Sequence, residues 1–219
     1  GAKWTGAKRA QHAVLDDEAW YATAQLRKLK DTAMNQLGTS GTGNHFVEWG
    51  SFRLDEEMFG LKSGEYLALL SHSGSRGVGA RIAERFSKLA MEKQPHLDKS
   101  VRHLAWLNLD SADGLEYWLS MELAGKFASA NHYIIHKRVA ASVGLKEVAV
   151  VENHHNFAWR EKLADGREVI VHRKGATPAG VGVLGVIPGS MGEAGFVVRG
   201  RGVSESLESA SHGAGRLMS

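Results

Sequence analysis

The chain has 219 residues, a formal net charge of +3 and 43% hydrophobic residues, which suits one large domain that buries its own core. It contains no cysteine, and this excludes disulfide bonds, a thiolate zinc site and a cysteine nucleophile within these residues. No apolar run reaches the length of a membrane span, and the first residues lack a signal-peptide core, so we expect a soluble, cytoplasmic protein.

The first half of the sequence predicts two helices and two strands. Helix-forming residues over 17–37, with Asp16 or Asp17 as N-cap and Gly38 as the stop, predict the first helix. A turn and strand follow in GNHFVEWGSF. The apolar run GEYLALLSHSGS predicts a strand that ends at His72, and RGVGARIAERFSKLAMEK predicts the helix after it, with its amides directed at an anion.

The second half begins with a long helix and continues with strands. Tryptophan, Leu, Met and Phe recur at helical spacing from Ser111 to about Ser142, which predicts a core-packing helix that is interrupted at Gly125 and ends at Gly144. Glycine turns separate four predicted strands, KEVAVVEN, REVIVHRKG, GVLGVIP and AGFVVRG. This order indicates the α+β class rather than a regular βαβ alternation.

Two local patterns carry no function. The GVGVLG stretch fits GxGxxG, but VIPGS follows it where a dinucleotide-binding helix would begin, so we interpret it as a chance match. His132 and His136 lie four residues apart on the long helix, yet no glutamate completes a zincin pattern, and we interpret both as structural.

Four histidines lie in short glycine-rich segments at strand ends: His45, His72, His155 and His212. Long gaps separate them, so only a folded core could bring them together. A single histidine is more often a satisfied core residue, but imidazole binds metals and acts as a nucleophile, and the surrounding glycines free backbone amides for phosphate. The four together indicate phosphate chemistry at a metal.

Basic residues concentrate near these glycine motifs, and the pI is about 9.1. Such grouping favours a polyanionic partner, although an ordinary solvated surface explains the charge equally well. The residues are Arg76, Arg81, Arg85, Arg173, Lys174, Arg199, Arg201 and Arg216.

Six motifs, in order, carry a family resemblance: LGTSGTGNHFVE, SHSGSRG, NHHN, HRKGAT, VIPGSMG and SHGAGR. Over residues 36–216 the chain resembles the central and catalytic portion of the RtcB-type RNA ligases. These GTP-dependent enzymes join RNA 3′-phosphate or 2′,3′-cyclic-phosphate ends to 5′-hydroxyl ends in tRNA splicing and RNA repair. The resemblance implies an α+β, RtcB-like single domain over 1–219, with mixed or antiparallel sheets flanked by helices.

The resemblance also implies roles for particular residues. His45, His72 and His155 would be ligands of two manganese ions, with His72 and His155 on one ion and His45 on the other. His212 would be the nucleophile that takes up GMP. Arg76 and Lys174 would hold RNA or nucleotide phosphates. The implied GMP pocket comprises Asn44, His45, Phe46, Val47, Glu48, His155, Asn156, Pro188, Gly189, Ser190, Met191, Gly195, His212, Gly213, Ala214 and Gly215.

Residue chemistry agrees with these roles. Manganese accepts nitrogen ligands, and a divalent ion neutralises a triphosphate as pyrophosphate leaves. An unprotonated imidazole nitrogen can attack the α-phosphorus, while the glycines of HGAG and PGSMG expose amides to its oxygens. The planar fork of Arg76 suits bidentate phosphate binding, whereas Lys174 supplies a point charge.

The sequence departs from the family pattern in several places. The family has an upstream cysteine that bridges both ions, an upstream aspartate and a downstream lysine, and we expect this chain to be a fragment that lacks both flanks and is inactive or weak alone. A divergent member with altered metal chemistry is the alternative. Gly195 stands where the family commonly has a serine near the guanine.

The roles of His154 and His172 and two other function classes stay open. His155 is preferred to His154 because it directly precedes Asn156, and the basic pair after His172 explains that motif without the histidine. A metal-dependent phosphohydrolase would use the same residues to activate water, and a non-catalytic RNA-binding module would need only the basic face. The RNA substrate, tRNA halves being one candidate, and the need for an accessory activator are not determined by the sequence.

Overall fold

A computed structural model describes residues 9–163, 165–189 and 193–213. The chain divides into two compact units, residues 1–147 and 148–219. The expectation of one catalytic domain over the whole chain stays a prediction. Helices and antiparallel strands in open sheets make up both units together, which confirms the α+β class.

The described part of unit 1, residues 9–147, contains three α-helices and a hairpin. The helices are α1 (Ala24–Gln36), α2 (Arg76–Lys93) and α3 (Ala112–Ser142), and the strands are β1 (Phe46–Leu54) and β2 (Gly64–His72). Strands β1 and β2 pair antiparallel with Phe46 opposite His72. Short 3₁₀ turns cover Ala13–Asp16, Glu18–Tyr21 and Arg102–Leu104. The predicted strand at His72 and the helix after it are confirmed.

The first predicted helix begins later than expected. Thr23 caps α1 by accepting a hydrogen bond from the Leu26 amide at 3.2 Å. Asp17 does cap a helix, but it caps the preceding 3₁₀ turn through the Ala19 amide. These side chains satisfy amides that a continuous helix would use, so the start at residue 17 was wrong. Gly38 ends the helical segment with a φ of +76°, as predicted.

The long helix α3 is uninterrupted. Gly125 is buried within it, so the predicted break there was wrong, because packing of this face outweighs the cost of about 1 kcal/mol for a helical glycine. Leu123 and Phe127 enter the core as predicted, where Phe127 meets Trp20 edge to face at 6.3 Å. Among the described residues, no helix combines the length and the apolarity needed to cross a bilayer.

The residues of unit 2 that the structure describes form three antiparallel strand pairs. They are β3 (Asn156–Lys162) with β4 (Glu168–Lys174), β5 (Ala176–Pro178) with β8 (Ser209–Ser211), and β6 (Leu184–Ile187) with β7 (Phe196–Arg199). A 3₁₀ turn at Ser204–Ser206 precedes β8. Strands β4, β6 and β7 confirm three predictions. In the described residues between β6 and β7, 188–189 and 193–195, the backbone is not helical, which agrees with a chance match of GVGVLG to the dinucleotide-binding pattern.

The strand predicted at 146–153 was wrong. Val148 and Val150 are exposed, and the described backbone at 146–155 forms no strand. The partner of β4 is instead the next segment, β3, whose register places Asn156 opposite Lys174. An apolar run forms a strand only when another strand lies beside it, and this pairing is not visible in composition.

Candidate active site

The hairpin of unit 1 brings His45 and His72 together. His45 directly precedes β1, and the register places its neighbour Phe46 opposite His72 at the end of β2. The two imidazole centroids are 6.1 Å apart and the rings are nearly perpendicular, while the Phe46 ring lies 5.6 Å from His72. Strand pairing therefore joins two histidines that are distant in sequence.

A hydrogen bond fixes the tautomer of His45. Nδ1 of this ring lies 2.8 Å from the carbonyl oxygen of Thr42. A carbonyl can only accept, so Nδ1 carries the proton in this contact. Nε2 of the neutral ring then holds the lone pair, which is the arrangement found in metal-binding histidines.

Arg76 lies beside the same ring. Gly41, at a φ of +116°, is the point of close approach, because a Cβ there would overlap the Arg76 guanidinium and come within 2.7 Å of Nδ1 of His45. Nε of Arg76 donates to Oγ1 of Thr39 at 3.0 Å. Partial burial lowers the pKa of Arg76, but an arginine remains charged at neutral pH. A fixed positive charge thus lies next to a candidate metal ligand.

Asn131 of α3 holds the loops on both sides of these histidines. Its side chain is fully buried. Oδ1 accepts from the amides of Gly38 and Thr39 at 2.7 and 3.2 Å. Nδ2 lies 3.1 to 3.2 Å from three acceptors, which are the carbonyls of Thr39 and Gly74 and Oγ of Ser73. One carboxamide therefore ties the segment before His45 to the segment after His72.

In unit 2, Gly175 joins His155 to His212 through the backbone. Its amide donates to the carbonyl of His155 at 2.8 Å, and its carbonyl accepts from the amide of His212 at 3.2 Å. Gly175 has a φ of +67°, a conformation that favours glycine. The two imidazoles stack nearly parallel with centroids 4.3 Å apart. His154 stacks instead on Phe157.

In unit 2, the residue after His212 lies close to the segment 188–189 that follows β6. A Cβ on Gly213, the residue after His212, would lie 3.6 Å from the carbonyl oxygen of Pro188. At Gly189 a Cβ would come within 2.6 Å of the Ala194 carbonyl, so only glycine fits. Gly195 is also crowded, because a Cβ would lie 3.2 Å from the Ile187 carbonyl. The residue that replaces the expected serine therefore has little room for a side chain.

The remaining predicted residues are placed as follows. Phe46, Glu48 and His72 share one face of the β1–β2 hairpin, and Val47 faces the other side with Ser71. Asn44 and Glu48 are exposed, as are Asn156 and Lys174 at the first pair of the β3–β4 hairpin. Ser190, Met191, Ala214, Gly215 and Arg216 lie outside the described residues.

Arg173 has a structural role, so its inclusion among the anion-facing residues was wrong. Its side chain is 2% exposed and forms two hydrogen bonds to the Glu161 carboxylate, at 2.5 and 3.0 Å. It also donates to Oγ of Ser209 and to the carbonyl of Leu207, both at 2.8 Å. Leu207 is a non-glycine residue with a φ of +52°, just before β8 and His212. Arg173 therefore anchors the strained turn that leads to His212.

The other basic residues are more exposed. Arg85 pairs with Glu116, and Arg81 donates to Thr32. Arg199 and Arg201 are exposed in unit 2. His136 hydrogen-bonds Ser71 of β2 at 2.8 Å, which agrees with a structural role.

Sequence reasoning missed Asn131 and Asn153. Asn153 donates to Oγ1 of the buried Thr177 at 2.7 Å and accepts from the Val186 amide at 3.1 Å, so it joins β5 to β6. The sequence did offer a clue to Asn131, because it lies four residues after Phe127 and so places a carboxamide on the apolar stripe of α3. Asn153 offered no comparable signal beyond its place beside two histidines.

Comparison with known proteins identifies clear relatives. The protein family described as tRNA-splicing ligase RtcB matches residues 2–219. Two Escherichia coli proteins, RNA-splicing ligase RtcB1 of strain ATCC 25922 and RNA-splicing ligase RtcB of strain K12, are 37% and 36% identical over 213 residues, which cover 91% of this chain and 50% of each relative. A tRNA-splicing ligase RtcB from Nanoarchaeum equitans is 34% identical over 87% of the chain and 46% of its own length. The chain thus spans about half the length of these curated relatives.

Replacing Asn131 by Asp tests the buried carboxamide. The variant keeps an acceptor for Gly38 and Thr39 but places a carboxylate oxygen against the carbonyls of Thr39 and Gly74. We expect the free energy of unfolding to fall by about 2 kcal/mol or more. The Gly74 carbonyl loses the Nδ2 donor, which costs about 1–3 kcal/mol, and the Thr39 carbonyl keeps the weaker bond from the Ser73 hydroxyl but faces a repelling carboxylate oxygen. Denaturant unfolding of the chain measures the change. Asn108→Asp is the matched control, because exposed Asn108 acts as an acceptor for the Asp110 amide. Equal effects of both substitutions would contradict the role of Asn131.

Replacing Arg173 by Lys tests the anchor of the turn before His212. Lysine keeps the charge but cannot reproduce the fork that holds Glu161, Ser209 and Leu207 together. We expect a loss of at least about 2 kcal/mol of unfolding free energy, because buried charged groups lose hydrogen bonds. Arg167→Lys is the control, since its pair with Asp165 is exposed and contributes at most about 1 kcal/mol. A loss no larger than that of the control would show that the anchor is unimportant.

Proposed function

This chain belongs to the RtcB family, and from that premise we propose that it supplies catalytic residues of a GTP-dependent RNA ligase. The enzyme joins RNA 3′-phosphate or 2′,3′-cyclic-phosphate ends to 5′-hydroxyl ends, with tRNA halves or damaged RNA as substrates. The proposal rests on one observation above all, the histidine pair of unit 2. His212 is stacked on His155 and is held there by Gly175, beside the loop that begins at Pro188.

The histidines fit a divalent metal. His45 has Nδ1 bonded to Thr42, which leaves Nε2 available as a ligand, and His72 lies beside it. We propose His45, His72 and His155 as manganese ligands, since manganese accepts imidazole nitrogen together with oxygen ligands. When bound, the metal would neutralise charge on the triphosphate and on the leaving pyrophosphate.

His212 is the proposed nucleophile. An unprotonated ring nitrogen attacks the α-phosphorus of GTP, so an N–P bond forms as the bond to pyrophosphate breaks and the imidazole proton is lost. Gly213, directly after His212, and Gly189, directly after Pro188, carry no side chain that could shield the phosphate, so their backbone amides can reach its oxygens. Stacking on His155 restricts the rotation of the ring, which lowers the entropy cost of the attack.

Two further transfers complete the proposed reaction, and their leaving groups are the His212 imidazole and then GMP. A 2′,3′-cyclic end is first opened by water to a 3′-phosphate. An oxygen of the RNA 3′-phosphate then takes GMP from His212, whose imidazole leaves and regains a proton, and the product is a phosphoanhydride. The RNA 5′-hydroxyl attacks the 3′-phosphorus and releases its proton, the new phosphodiester forms, and GMP leaves with the bonding electrons. Splitting the reaction in this way replaces one difficult displacement with three easier ones.

Two cations are proposed to hold the phosphates. Arg76 is fixed by Thr39 beside His45, so its planar fork is positioned before the substrate arrives. Lys174 is exposed opposite Asn156, the residue that directly follows His155 in the chain. Asn44, Phe46, Glu48 and Asn156 complete the proposed nucleotide pocket with the glycine loops.

The bridging cysteine of the family is not supplied by these 219 residues. We therefore propose that manganese binding by the chain is weak and that efficient ligation needs groups beyond it. A cytoplasmic location and an accessory activator are part of the same proposal. A phosphohydrolase or a simple RNA-binding module would not need a histidine held among glycines, so both are less well supported.

Manganese binding tests the proposed ligands without requiring activity. His72→Ala removes a proposed ligand and should bind manganese at least about tenfold more weakly than the unsubstituted chain. Removal of a residue that only hydrogen-bonds to a metal ligand already costs about tenfold or more in affinity. Manganese is titrated into each protein, and electron paramagnetic resonance measures the manganese that stays free. The control is His103→Ala, since His103 is exposed and has no proposed role. Identical titrations for all three proteins would refute the metal assignment.

Labelling from GTP tests the nucleophile. The protein that contains this chain should form an acid-labile, alkali-stable adduct at His212 when it is incubated with manganese and α-labelled GTP, as expected for a phosphoramidate. His212→Ala should abolish the adduct and retain manganese binding, because this residue is not a proposed ligand. The 219-residue chain alone should label weakly or not at all.

Two results would reject the ligase mechanism. Labelling of His212→Ala at the level of the unsubstituted protein would place the adduct elsewhere. Hydrolysis of GTP or RNA ends without any covalent adduct would favour the phosphohydrolase. His172→Ala is the matched control for labelling, since this exposed histidine lies in the same unit and has no proposed part in nucleotide transfer.

A further inference from the structure

The two faces of the β3–β4 hairpin have different environments. Side chains that point to one face include Trp159, Val171 and Arg173, and these are partly or fully buried. The Arg173 guanidinium lies over the Trp159 ring at 4.9 Å and is bonded to Glu161 on the same face. The opposite face is mostly exposed, so most of its side chains can be reached by a large ligand.

Each cross-strand pair on the exposed face contributes one basic or imidazole side chain. From the His155 end to the tip of the hairpin, the pairs are Asn156 with Lys174, Ala158 with His172, Arg160 with Ile170, and Lys162 with Glu168. Lys174, His172, Arg160 and Lys162 are all exposed. Glu168 is the one acidic member of the eight. The result is a single row of nitrogen-bearing side chains along the hairpin.

The spacing of this row suits a nucleic acid strand. Same-face residues on a strand repeat every two positions, or about 7 Å, so the four pairs extend over about 20 Å. Successive phosphates of an extended single strand have a comparable separation. His172 and the exposed Ile170 lie within the row and offer surfaces on which bases or riboses can pack. A row one side chain wide matches a single strand better than a broad membrane surface.

We propose that this face, which we call the basic row (Lys174, His172, Arg160 and Lys162), binds the single-stranded RNA that leads away from the reacting end. The inference rests on the proposed function, because it extends the phosphate contact assigned to Lys174 toward the tip of the hairpin. Arg160 and Lys162 contact the backbone at a distance from the chemistry. They govern affinity for the body of the RNA and leave nucleotide transfer to His212 unchanged.

The test neutralises the far end of the row. The double variant Arg160→Gln, Lys162→Gln is made in the protein that contains this chain, and binding of a long single-stranded RNA is measured by fluorescence anisotropy at several salt concentrations. We expect at least about a tenfold loss of affinity at low salt. The slope of log affinity against log salt should fall by about 1.4, at about 0.7 for each phosphate that the variant no longer neutralises. A nucleoside 3′-phosphate covers only the Lys174 end of the row, so it should bind both proteins equally.

A matched control removes the same charge elsewhere. Lys28→Gln with Lys88→Gln neutralises two exposed lysines on α1 and α2 and should leave the affinity and the salt slope unchanged. Two results would overturn the basic row. In the first, the hairpin variant binds RNA as tightly as the unsubstituted protein and with the same salt slope. In the second, the hairpin variant and this control lose affinity equally, because the effect then comes from net charge alone. If the hairpin variant loses more affinity for poly-glutamate than for RNA, the face binds an acidic protein and the RNA proposal is overturned.

The same proteins separate this inference from the proposed function. GTP labelling of His212 should be equal in the unsubstituted protein and in the hairpin variant. If the unsubstituted protein never labels, but the hairpin variant still loses RNA affinity, the ligase mechanism fails and the basic row stands. If labelling and ligation are normal and RNA affinity does not depend on Arg160 and Lys162, the basic row fails and the ligase mechanism stands.

Discussion

The arrangement of unit 1 depends on the buried carboxamide of Asn131. Its oxygen accepts two backbone hydrogen bonds and its nitrogen shares two protons among three acceptors, in a position from which water is excluded. A buried polar group that lost these partners would be costly, so the loops can take few other positions. The segment before His45 and the segment after His72 are both held by this one side chain. A residue on a helix therefore supports the segments that flank the two imidazoles, in addition to the strand pairing that brings them together.

Unit 2 positions its histidines by a different device. Gly175 uses its own amide and carbonyl to hold the backbones at His155 and His212, and its positive φ directs the two groups to opposite neighbours. Arg173, two residues earlier, anchors the turn that precedes β8 through Glu161, Ser209 and Leu207. A short strand such as β8 has few hydrogen bonds of its own. Buried charge-assisted bonds make up for this and limit how far His212 can move.

Strand alternation assigns opposite roles to adjacent basic residues. Arg173 and Lys174 are neighbours in the chain, but one is buried in an ion pair and the other is exposed beside Asn156. The same alternation leaves Arg160 on the open face and Glu161 on the packed face. Charge on this hairpin is therefore divided between a buried ion pair on the packed face and exposed basic side chains on the open face, because successive side chains of a strand point to opposite faces.

The sequence by itself determined the helices with strong periodicity, the strand that ends at His72, and the histidines and glycines that carry the family resemblance, because these depend on local pattern and residue chemistry. It offered no basis for starting α1 at Ala24, for the continuity of α3 through Gly125, or for choosing Asn156–Lys162 rather than the valine-rich run before it as the partner of β4. Those outcomes depend on capping side chains, packed faces and strand partners that lie elsewhere in the chain. The same holds for Asn131 and Arg173, whose roles require the buried partners that only the tertiary structure brings to them.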